Sequence, residues 1–138
     1  MEVKIKLLDG QMPAYSREGD ACLDCYAAED VDLRYGETKK VKLGFALELP
    51  KDYEAQIRPR SGLSLKGVQV QLGTVDSNYR GEVNAIIHYV GSLEPFEVVK
   101  GMRIAQMKIE KVEPVTFVEV AELSETNRGG NGFGSSGM

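Results

Sequence analysis

The stretch that decides the fold is "IAQMKIEKV", which runs from Ile104 to Val112. Within it, the apolar residues Ala105, Met107 and Ile109 alternate with polar or charged neighbours. Successive side chains of a β-strand point to opposite faces, so this alternation predicts a strand with one buried face. The run "VTFVEV", Val115 to Val120, has the same period and predicts another strand soon after the first.

The same period of two recurs along most of the chain. Val3, Ile5 and Leu7 alternate with lysines, as do Val41 and Leu43, and Val68 and Val70 alternate with glutamines. Most runs are short and are separated by Gly, Pro, Asp or Asn, which favour turns. Helical spacing is scarce, and only a single turn is predicted around residues 61–66. The chain is therefore predicted to be all-β, with about ten short strands in an antiparallel sandwich, a β-barrel or a jelly roll.

The overall composition limits the classes of function. The 138 residues suit one domain with one core. Lys and Arg number 17 against 21 Asp and Glu, a net charge of −4, which argues against a protein that binds duplex nucleic acid. A local group of arginines can still bind a small anion in such a protein. No run approaches the ~18 apolar residues of a membrane span, so we expect a cytoplasmic protein without membrane contact.

Cys22 and Cys25 form a single C-x-x-C, and His88 is the only histidine. Structural zinc sites usually have four Cys or His ligands, so the sequence argues against one here. A redox-active pair would be expected at the start of a helix after a strand, which this surrounding sequence does not indicate. We expect two reduced, partly buried cysteines and a histidine on a strand face.

Non-alternating segments interrupt the strands and contain the candidate chemical groups. Arg58–Gly67, "RPRSGLSLKG", combines arginines with a hydroxyl, and Gly73–Glu82, "GTVDSNYRGE", places Asp76 and Tyr79 in a turn. Gln106 is a polar residue within the strand that opened this section. Read one at a time, these features also fit a structural turn, an Asx-type turn in a hairpin and an edge-strand glutamine.

The C-terminal segment "RGGNGFGSSG", Arg128–Gly137, contains five glycines in ten residues. Ordering glycine costs more backbone entropy than ordering any other residue, so a mobile tail is one reading. Gly132–Gly137 also fits G-x-G-x-x-G, whose backbone N–H groups can approach phosphate oxygens, although the strand and helix of a dinucleotide site are missing. We predict a β domain at residues 1–122 and a flexible arm at residues 123–138.

Taken in order, these segments resemble the five motifs of the trimeric deoxyuridine triphosphatases (dUTPases). The motifs are "ACLDCYAAED" (Ala21–Asp30), "PRSGLSLKG", "GTVDSNYRGE", "GMRIAQ" and "RGGNGFGSSG". The resemblance implies a jelly-roll subunit, a homotrimer with active sites at subunit interfaces, and Mg²⁺ as cofactor. It also implies hydrolysis of dUTP to dUMP and pyrophosphate, which keeps uracil out of DNA and supplies dUMP for thymidylate synthesis.

The resemblance assigns a role to each candidate residue. It makes Asp76 the base that activates water, Asp24 the carboxylate that holds Mg²⁺ through water, and Tyr79 the aromatic ring on deoxyribose. The other candidates would bind the rest of the substrate. Arg128 would bind the terminal phosphate, and Phe133 would stack on the uracil ring. The phosphates would also be contacted by Arg60, Ser61, Gly62 and Gln106 in the domain and by Gly134, Ser135 and Ser136 in the arm. The resemblance also implies that uracil is read largely by the backbone of the hairpin, often with an asparagine before the base aspartate; here that region is "VQVQLG", so Gln71 is the candidate side chain.

Two other functions remain open from the sequence. A dCTP deaminase-like enzyme has a similar fold, but its "SS-x-A-R" type of motif is not found here. A nucleotide-sensing regulatory protein would bind dUTP and a partner protein, yet the presence of Asp24, Asp76 and Arg128 favours turnover. Release of pyrophosphate from dUTP or of ammonia from dCTP distinguishes these possibilities.

Overall fold

The computed structural model describes residues 1–137, and within them the protein has eleven strands and one short helix. The elements are β1 (Lys4–Leu7), β2 (Leu23–Tyr26), β3 (Val31–Leu33), β4 (Thr38–Lys42), β5 (Phe45–Glu48), β6 (Tyr53–Arg58), α1 (Ser61–Ser64), β7 (Val68–Val70), β8 (Gly73–Val75), β9 (Asn84–Tyr89), β10 (Phe96–Val98) and β11 (Arg103–Lys111). The all-β prediction is confirmed, and α1 is the single helical turn that the sequence indicated.

All strand pairs are antiparallel, which confirms that part of the prediction. A four-stranded sheet has the order β2-β11-β6-β8, a three-stranded sheet has the order β4-β9-β7, and β1 pairs with β5 and β3 with β10. One cluster of apolar side chains joins these sheets, and Leu33, Phe45, Ile57, Ile87 and Ile104 are among its most deeply buried members. The alternating residues of these strands therefore supply both the core and the polar surface.

β11 is the strand that organises the larger sheet. It pairs with β2 on one side and with β6 on the other. Ala105 and Met107 are buried, while Gln106 lies on the opposite face and is only half-buried. This is the arrangement that the period of two predicts.

The strand predicted at Val115–Val120 does not form in this chain. The last backbone hydrogen bond to the β domain joins the Val112 nitrogen to the Asp52 oxygen, at 2.7 Å. Beyond it, Phe117 is 94% exposed and Val118 is 78% exposed. A strand needs a neighbour for its backbone groups, and the segment has no such neighbour among residues 1–137. The prediction of this strand is wrong for the single chain, although the alternation that suggested it is real.

The glycine-rich arm makes local contacts in the described residues. The Arg128 Nε donates to the Asn131 oxygen at 2.8 Å, and the Gly129 nitrogen donates to the Thr126 hydroxyl at 3.1 Å. Phe133 is fully exposed. Met138, the last residue of the predicted arm, lies outside the described residues, and the flexibility of the arm stays a prediction. Within residues 1–137 the one helix is too short to cross a membrane.

The histidine lies on a strand face as the sequence predicted, whereas one of the two cysteines is more deeply buried than expected. Both cysteines are free, with Cys22 half-buried and Cys25 buried. Burial, followed by the nearby Asp24 and Cys22, raises the pKa of the Cys25 thiol to about 12. His88 lies on β9, where its Nδ1 is 2.8 Å from the Thr38 hydroxyl on the neighbouring strand β4.

Candidate functional site

A polar pocket of about 600 Å³ lies beside α1 and the edge strand β2 of the larger sheet. We call it the phosphate pocket. Five of its lining residues belong to the predicted site: Asp24, Arg60, Ser61, Gly62 and Gln106. Arg17 and Lys66 add two further cations that the sequence analysis did not single out.

The register of the larger sheet explains why these side chains meet. Asp24 on β2 is paired with Gln106 on β11, and Gln106 is paired with Arg58 on β6. The Gln106 Nε2 donates to the Pro59 oxygen at 2.8 Å, which ties β11 to the segment leading into α1. Arg60 immediately precedes α1. One row across three strands therefore brings three separate sequence motifs to one pocket.

Two guanidinium groups flank the Asp24 carboxylate. Its side chain is only 12% exposed, and its two oxygens lie 3.7 Å from Arg60 Nε and 3.6 Å from Arg103 Nη1. Arg60 also donates to the Arg103 backbone oxygen at 2.9 Å, which connects the two arginines. The attraction between these opposite charges positions the carboxylate between the two arginines. Arg103 was missed as a site residue, although the arginine of "GMRIAQ" was visible in the sequence.

Asp24 has the chemistry of a magnesium ligand in this setting. Mg²⁺ prefers oxygen ligands, retains several waters and is usually held by one or two carboxylates together with substrate phosphates. Asp24 offers carboxylate oxygens at a pocket with enough room for phosphate groups and water. Among residues 1–137, no three His, Cys, Asp or Glu side chains cluster as metal ligands. The residues present thus suit an ion that arrives with a phosphate ligand.

A second pocket, of about 310 Å³, lies between β8 and the beginning of β9. We call it the nucleoside pocket. Asp76 and Tyr79 line it, and the turn between them is closed by a 3.1 Å hydrogen bond from the Tyr79 nitrogen to the Asp76 oxygen. The Tyr79 hydroxyl donates to the Glu82 oxygen at 3.0 Å. A side chain at Gly81 would collide with that hydroxyl, so glycine there leaves room for the ring.

The two pockets lie at opposite edges and opposite ends of the same sheet. Asp24 is on β2 and Asp76 directly follows β8, so three strand spacings of roughly 4.8 Å separate them across the sheet. The register places Asp24 level with Arg58 but Asp76 level with Glu54, about four residues or roughly 14 Å along the strands. At these spacings the backbones of Asp24 and Asp76 in one chain are about 20 Å apart.

The remaining predicted site residues do not line either pocket. Gln71 is exposed, and its backbone nitrogen donates to the Ile86 oxygen at 2.8 Å. The other residues, Arg128, Phe133, Gly134, Ser135 and Ser136, lie on the exposed arm. The single chain therefore brings together the first, second and fourth motifs, holds the third motif apart, and leaves the fifth motif without contacts to either pocket.

Comparisons with known proteins give one consistent result. Residues 9–137 match the dUTPase family. A deoxyuridine 5'-triphosphate nucleotidohydrolase from Clostridium novyi is 48% identical over 130 residues, which cover 92% of this chain and 91% of the relative. The corresponding protein of Rickettsia felis is 45% identical and covers 99% of this chain and 97% of its own length.

A solved structure extends the agreement to the fold. The dUTPase of Staphylococcus bacteriophage 80alpha, determined with dUpNHpp, superposes with a TM-score of 0.90 at 28% identity, and 99% of each chain is covered. Fold, motif order and sequence identity agree over almost the whole length. This chain belongs to the dUTPase family.

Proposed function

We propose that this protein hydrolyses dUTP to dUMP and pyrophosphate, with Mg²⁺ as cofactor and with active sites between the subunits of a homotrimer. The observation that carries the proposal is the pairing of a cationic phosphate pocket with a smaller pocket containing Asp76 and Tyr79. Family membership supports the same reaction, since the relatives compared above are named for it.

The phosphate pocket has the groups that a triphosphate requires. A bound triphosphate carries about four negative charges, which must be neutralised before an oxygen nucleophile can approach phosphorus. Arg60 supplies a cation, the Ser61 hydroxyl and the Gln106 amide supply donors, and the first N–H groups of α1 have no partner within the helix. Mg²⁺ held through water by Asp24 would supply further charge neutralisation at the phosphates.

The nucleoside pocket has the groups that activate water and select the sugar. Asp76 accepts a proton from the attacking water, whose oxygen forms the new bond to the α-phosphorus while the bond to pyrophosphate breaks. The Tyr79 ring packs against deoxyribose, where a ribose 2′-hydroxyl would clash. The Tyr79 hydroxyl donates a hydrogen bond to the Glu82 backbone oxygen, and the absence of a side chain at Gly81 leaves room for the ring. These two features hold the ring in position for this contact.

The distance between the pockets supports an active site built from more than one chain. Because the backbones of Asp24 and Asp76 in one chain are about 20 Å apart, the two side chains are too far from each other to serve one phosphorus, so the Asp24 and Asp76 of one site should come from different subunits. The exposed alternating segment Val115–Val120 offers strand-forming residues to a neighbour. We propose a trimer rather than another oligomer because the motifs resemble those of the trimeric dUTPases.

The C-terminal arm is proposed to complete a site on another subunit. The stretch from Val112 to Arg128 can span up to about 50 Å when extended, which is enough to cross to a neighbour. Arg128 would bind the terminal phosphate, Phe133 would cover uracil, and residues 134–136 would donate hydrogen bonds to the phosphates. Residues 1–122 would form the body of each subunit. A cytoplasmic location fits the two free cysteines.

A single comparison tests the reaction against its alternatives. The purified protein is incubated with dUTP or dCTP, with Mg²⁺ or with a chelator, and both pyrophosphate and ammonia are measured. We expect pyrophosphate from dUTP, stimulated by Mg²⁺, and no ammonia from dCTP. Ammonia from dCTP would indicate a deaminase, and tight dUTP binding without turnover would indicate a nucleotide sensor.

A further inference from the structure

The side chain of Arg80 folds back onto the turn that contains Asp76 and Tyr79. Its Nη1 donates to the Ser77 oxygen at 2.6 Å and to the Tyr79 oxygen at 3.3 Å. Neither of these two carbonyls accepts a hydrogen bond from a backbone N–H within residues 1–137. The guanidinium group therefore supplies hydrogen-bond donors that the backbone of this turn lacks.

The same guanidinium group connects the turn to β5. The Arg80 Nε is 3.8 Å from Glu48 Oε1, and the Glu48 Oε2 is 3.2 Å from the Nζ of Lys4. Lys4 on β1 and Glu48 on β5 are direct cross-strand partners, so the carboxylate is fixed to a regular pair of strands. Both side chains of the Arg80–Glu48 pair are about half exposed, and water screens an ion pair of this kind. The pair should therefore contribute little to the stability of the whole domain.

The location of Asp76 in the loop gives these contacts a consequence for the reaction. The end of the loop is fixed by backbone hydrogen bonds, from the Val83 nitrogen to the Phe45 oxygen at 2.8 Å and from the Leu43 nitrogen to the Val83 oxygen at 3.0 Å. Asp76 lies at the beginning of the loop, directly after β8, and is exposed. Its position depends on the conformation of the turn rather than on packing in the core.

We propose that Arg80 is a positioning residue, which binds the Ser77 and Tyr79 carbonyls and is itself held by Glu48, so that the turn presents the Asp76 carboxylate in one fixed place. The proposal deepens, and rests on, the dUTP hydrolysis proposed above. A general base acts only within hydrogen-bond reach of the water that it deprotonates. A displacement of about 1 Å can lower a rate by about 100-fold, so a mobile turn would slow the chemical step.

An arginine suits this role better than a lysine. Its planar group carries five N–H donors and can bind two carbonyl oxygens and a carboxylate in one fixed geometry. A lysine has the same charge, but all its donors are on one nitrogen at the end of a flexible chain. Arg80 lines neither the phosphate pocket nor the nucleoside pocket, which favours positioning over direct binding of the substrate.

The first test compares Arg80→Ala with Arg34→Ala in the full-length protein. Arg34 is the matched control, because it is also exposed and lines neither pocket. We expect Arg80→Ala to lower kcat for dUTP by about 10- to 100-fold and to leave KM within about twofold of the wild type. The control should match the wild type. A raised KM with an unchanged kcat would make Arg80 a substrate ligand, and unchanged values of both would also overturn the proposal.

Conservative substitutions test the two parts of the arrangement. Arg80→Lys should retain part of the lost rate, because it keeps a cation beside Glu48 but cannot bind all three partners. Glu48→Gln should lower kcat by less than about fivefold, since it removes only the screened ion pair. In the Arg80→Ala background the same Glu48→Gln substitution should have no effect. A loss of equal size in both backgrounds would show that Glu48 does not act through Arg80.

A double-mutant cycle with Asp76→Asn separates positioning from a general structural role. When the base is absent, Arg80→Ala should lower the residual kcat by less than about twofold, because no base remains to be positioned. A substitution that merely disturbed the structure would lower the rate by the same factor in both backgrounds. That result would overturn the proposal.

Hydrogen exchange tests the turn without any activity measurement. In the nucleotide-free protein, Arg80→Ala should speed exchange of the Tyr79 amide, which donates to the Asp76 oxygen, and leave the Val83 amide at the wild-type rate. Unchanged exchange at Tyr79 would overturn the proposal, as would equal acceleration at Val83. If the wild type does not hydrolyse dUTP, the proposed function fails separately, and these exchange rates still decide whether Arg80 holds the turn.

Discussion

β11 and the segment Val115–Val120 have the same sequence pattern and opposite outcomes. In β11, Met107 is 3% exposed and packs into the core; in the later segment, Phe117 is 94% exposed. The pattern specifies which side chains share a face, but within residues 1–137 β11 has strands on both sides to bind its backbone and the later segment has none. Alternation thus predicts a strand wherever a partner exists, and that partner need not belong to the same chain.

The comparison extends to the proposed chemistry. The β domain contains the phosphate pocket and the nucleoside pocket, each with part of the required groups, whereas Arg128 and Phe133 on the described part of the arm line neither of them. If the β domain and the C-terminal arm each complete sites on other subunits, substitutions in the β domain should change the stability of the domain or the chemistry of the pocket that they line. Changes in Val115–Val120 should affect assembly, and changes in the arm should affect activity, in both cases without affecting the folding of the domain.

The largest expected effect is that of Asp76→Asn in the β domain. The substitution preserves shape but removes the proton acceptor, so kcat should fall by about 10²- to 10⁴-fold while dUTP still binds. Asp32→Asn is the control, since Asp32 is exposed on β3 and lines neither pocket. Steady-state kinetics and binding of a non-hydrolysable dUTP analogue provide the measurement. Near-normal turnover by Asp76→Asn would rule out Asp76 as the base.

Deletion of residues 126–138 is expected to reduce kcat by about 10²- to 10³-fold, because the donors and the cation of the arm are lost. The domain should remain folded and associated, since Arg128 bonds within the arm. Kinetics and sedimentation of the truncated protein test both points. A truncated protein that no longer associates would instead place part of the assembly contact in the arm.

Mixing tests whether the arm acts on another subunit. Arm-deleted chains with Asp76 are unfolded and refolded together with Asp76→Asn chains that keep the arm. If arms act in trans, mixed trimers contain sites with both a base and an arm, and activity reappears. Inactive mixtures, despite confirmed subunit exchange, would contradict the trans-acting arm.

Met107→Ala should destabilise the domain by about 2–5 kcal/mol, because it opens a cavity beside buried neighbours on β11. Denaturant unfolding at several protein concentrations measures the change. Lys108→Ala, on the alternate face of the same strand, serves as control and should change stability far less. Equal effects of the two substitutions would show that β11 does not have one buried face.

Tyr79→Ala should weaken sugar selection, with the preference for dUTP over UTP reduced about 10-fold. The ring that would clash with a 2′-hydroxyl is removed, and the Glu82 carbonyl loses one donor. Rates with dUTP and UTP at low substrate concentration give the ratio directly. Tyr79→Phe, which keeps the ring without the hydroxyl, should retain most of the selection; unchanged discrimination in Tyr79→Ala would place the filter elsewhere.

The sequence predicted most of the fold because the core strands are satisfied within one chain. β1, β4, β7 and β11 were all visible as alternating runs, and the single turn of α1 was found as well. The phosphate pocket also follows from the motifs, since Asp24 and Gln106 meet through backbone pairing. The assignments of Asp76, Arg128 and Phe133 to one site stay predictions, since the single chain does not bring them together.

One feature of the site depended on a three-dimensional contact that no local pattern encodes. Arg103 on β11 matters because its side chain reaches the carboxylate of Asp24 on the neighbouring strand β2. Residue type and spacing locate strands and motifs, whereas the partner of an individual side chain becomes visible only in the folded chain.

The smallest expected effect on the domain is that of Phe117→Ala, and it tests the opening comparison most directly. Because Phe117 is almost fully exposed in the single chain, its truncation should change the free energy of unfolding of the dissociated chain by less than about 0.5 kcal/mol. If the segment packs on a neighbour, the same truncation removes buried apolar surface, and the protein concentration needed for assembly should rise about 10-fold or more. Leu123→Ala, also exposed but beyond the alternating run, is the matched control and should change neither quantity. Unfolding of the diluted protein and sedimentation over a concentration series measure the two effects separately. A large loss of stability in the diluted chain with unchanged association would mean that Phe117 packs in its own subunit, and that the contrast between β11 and the later segment does not hold in solution.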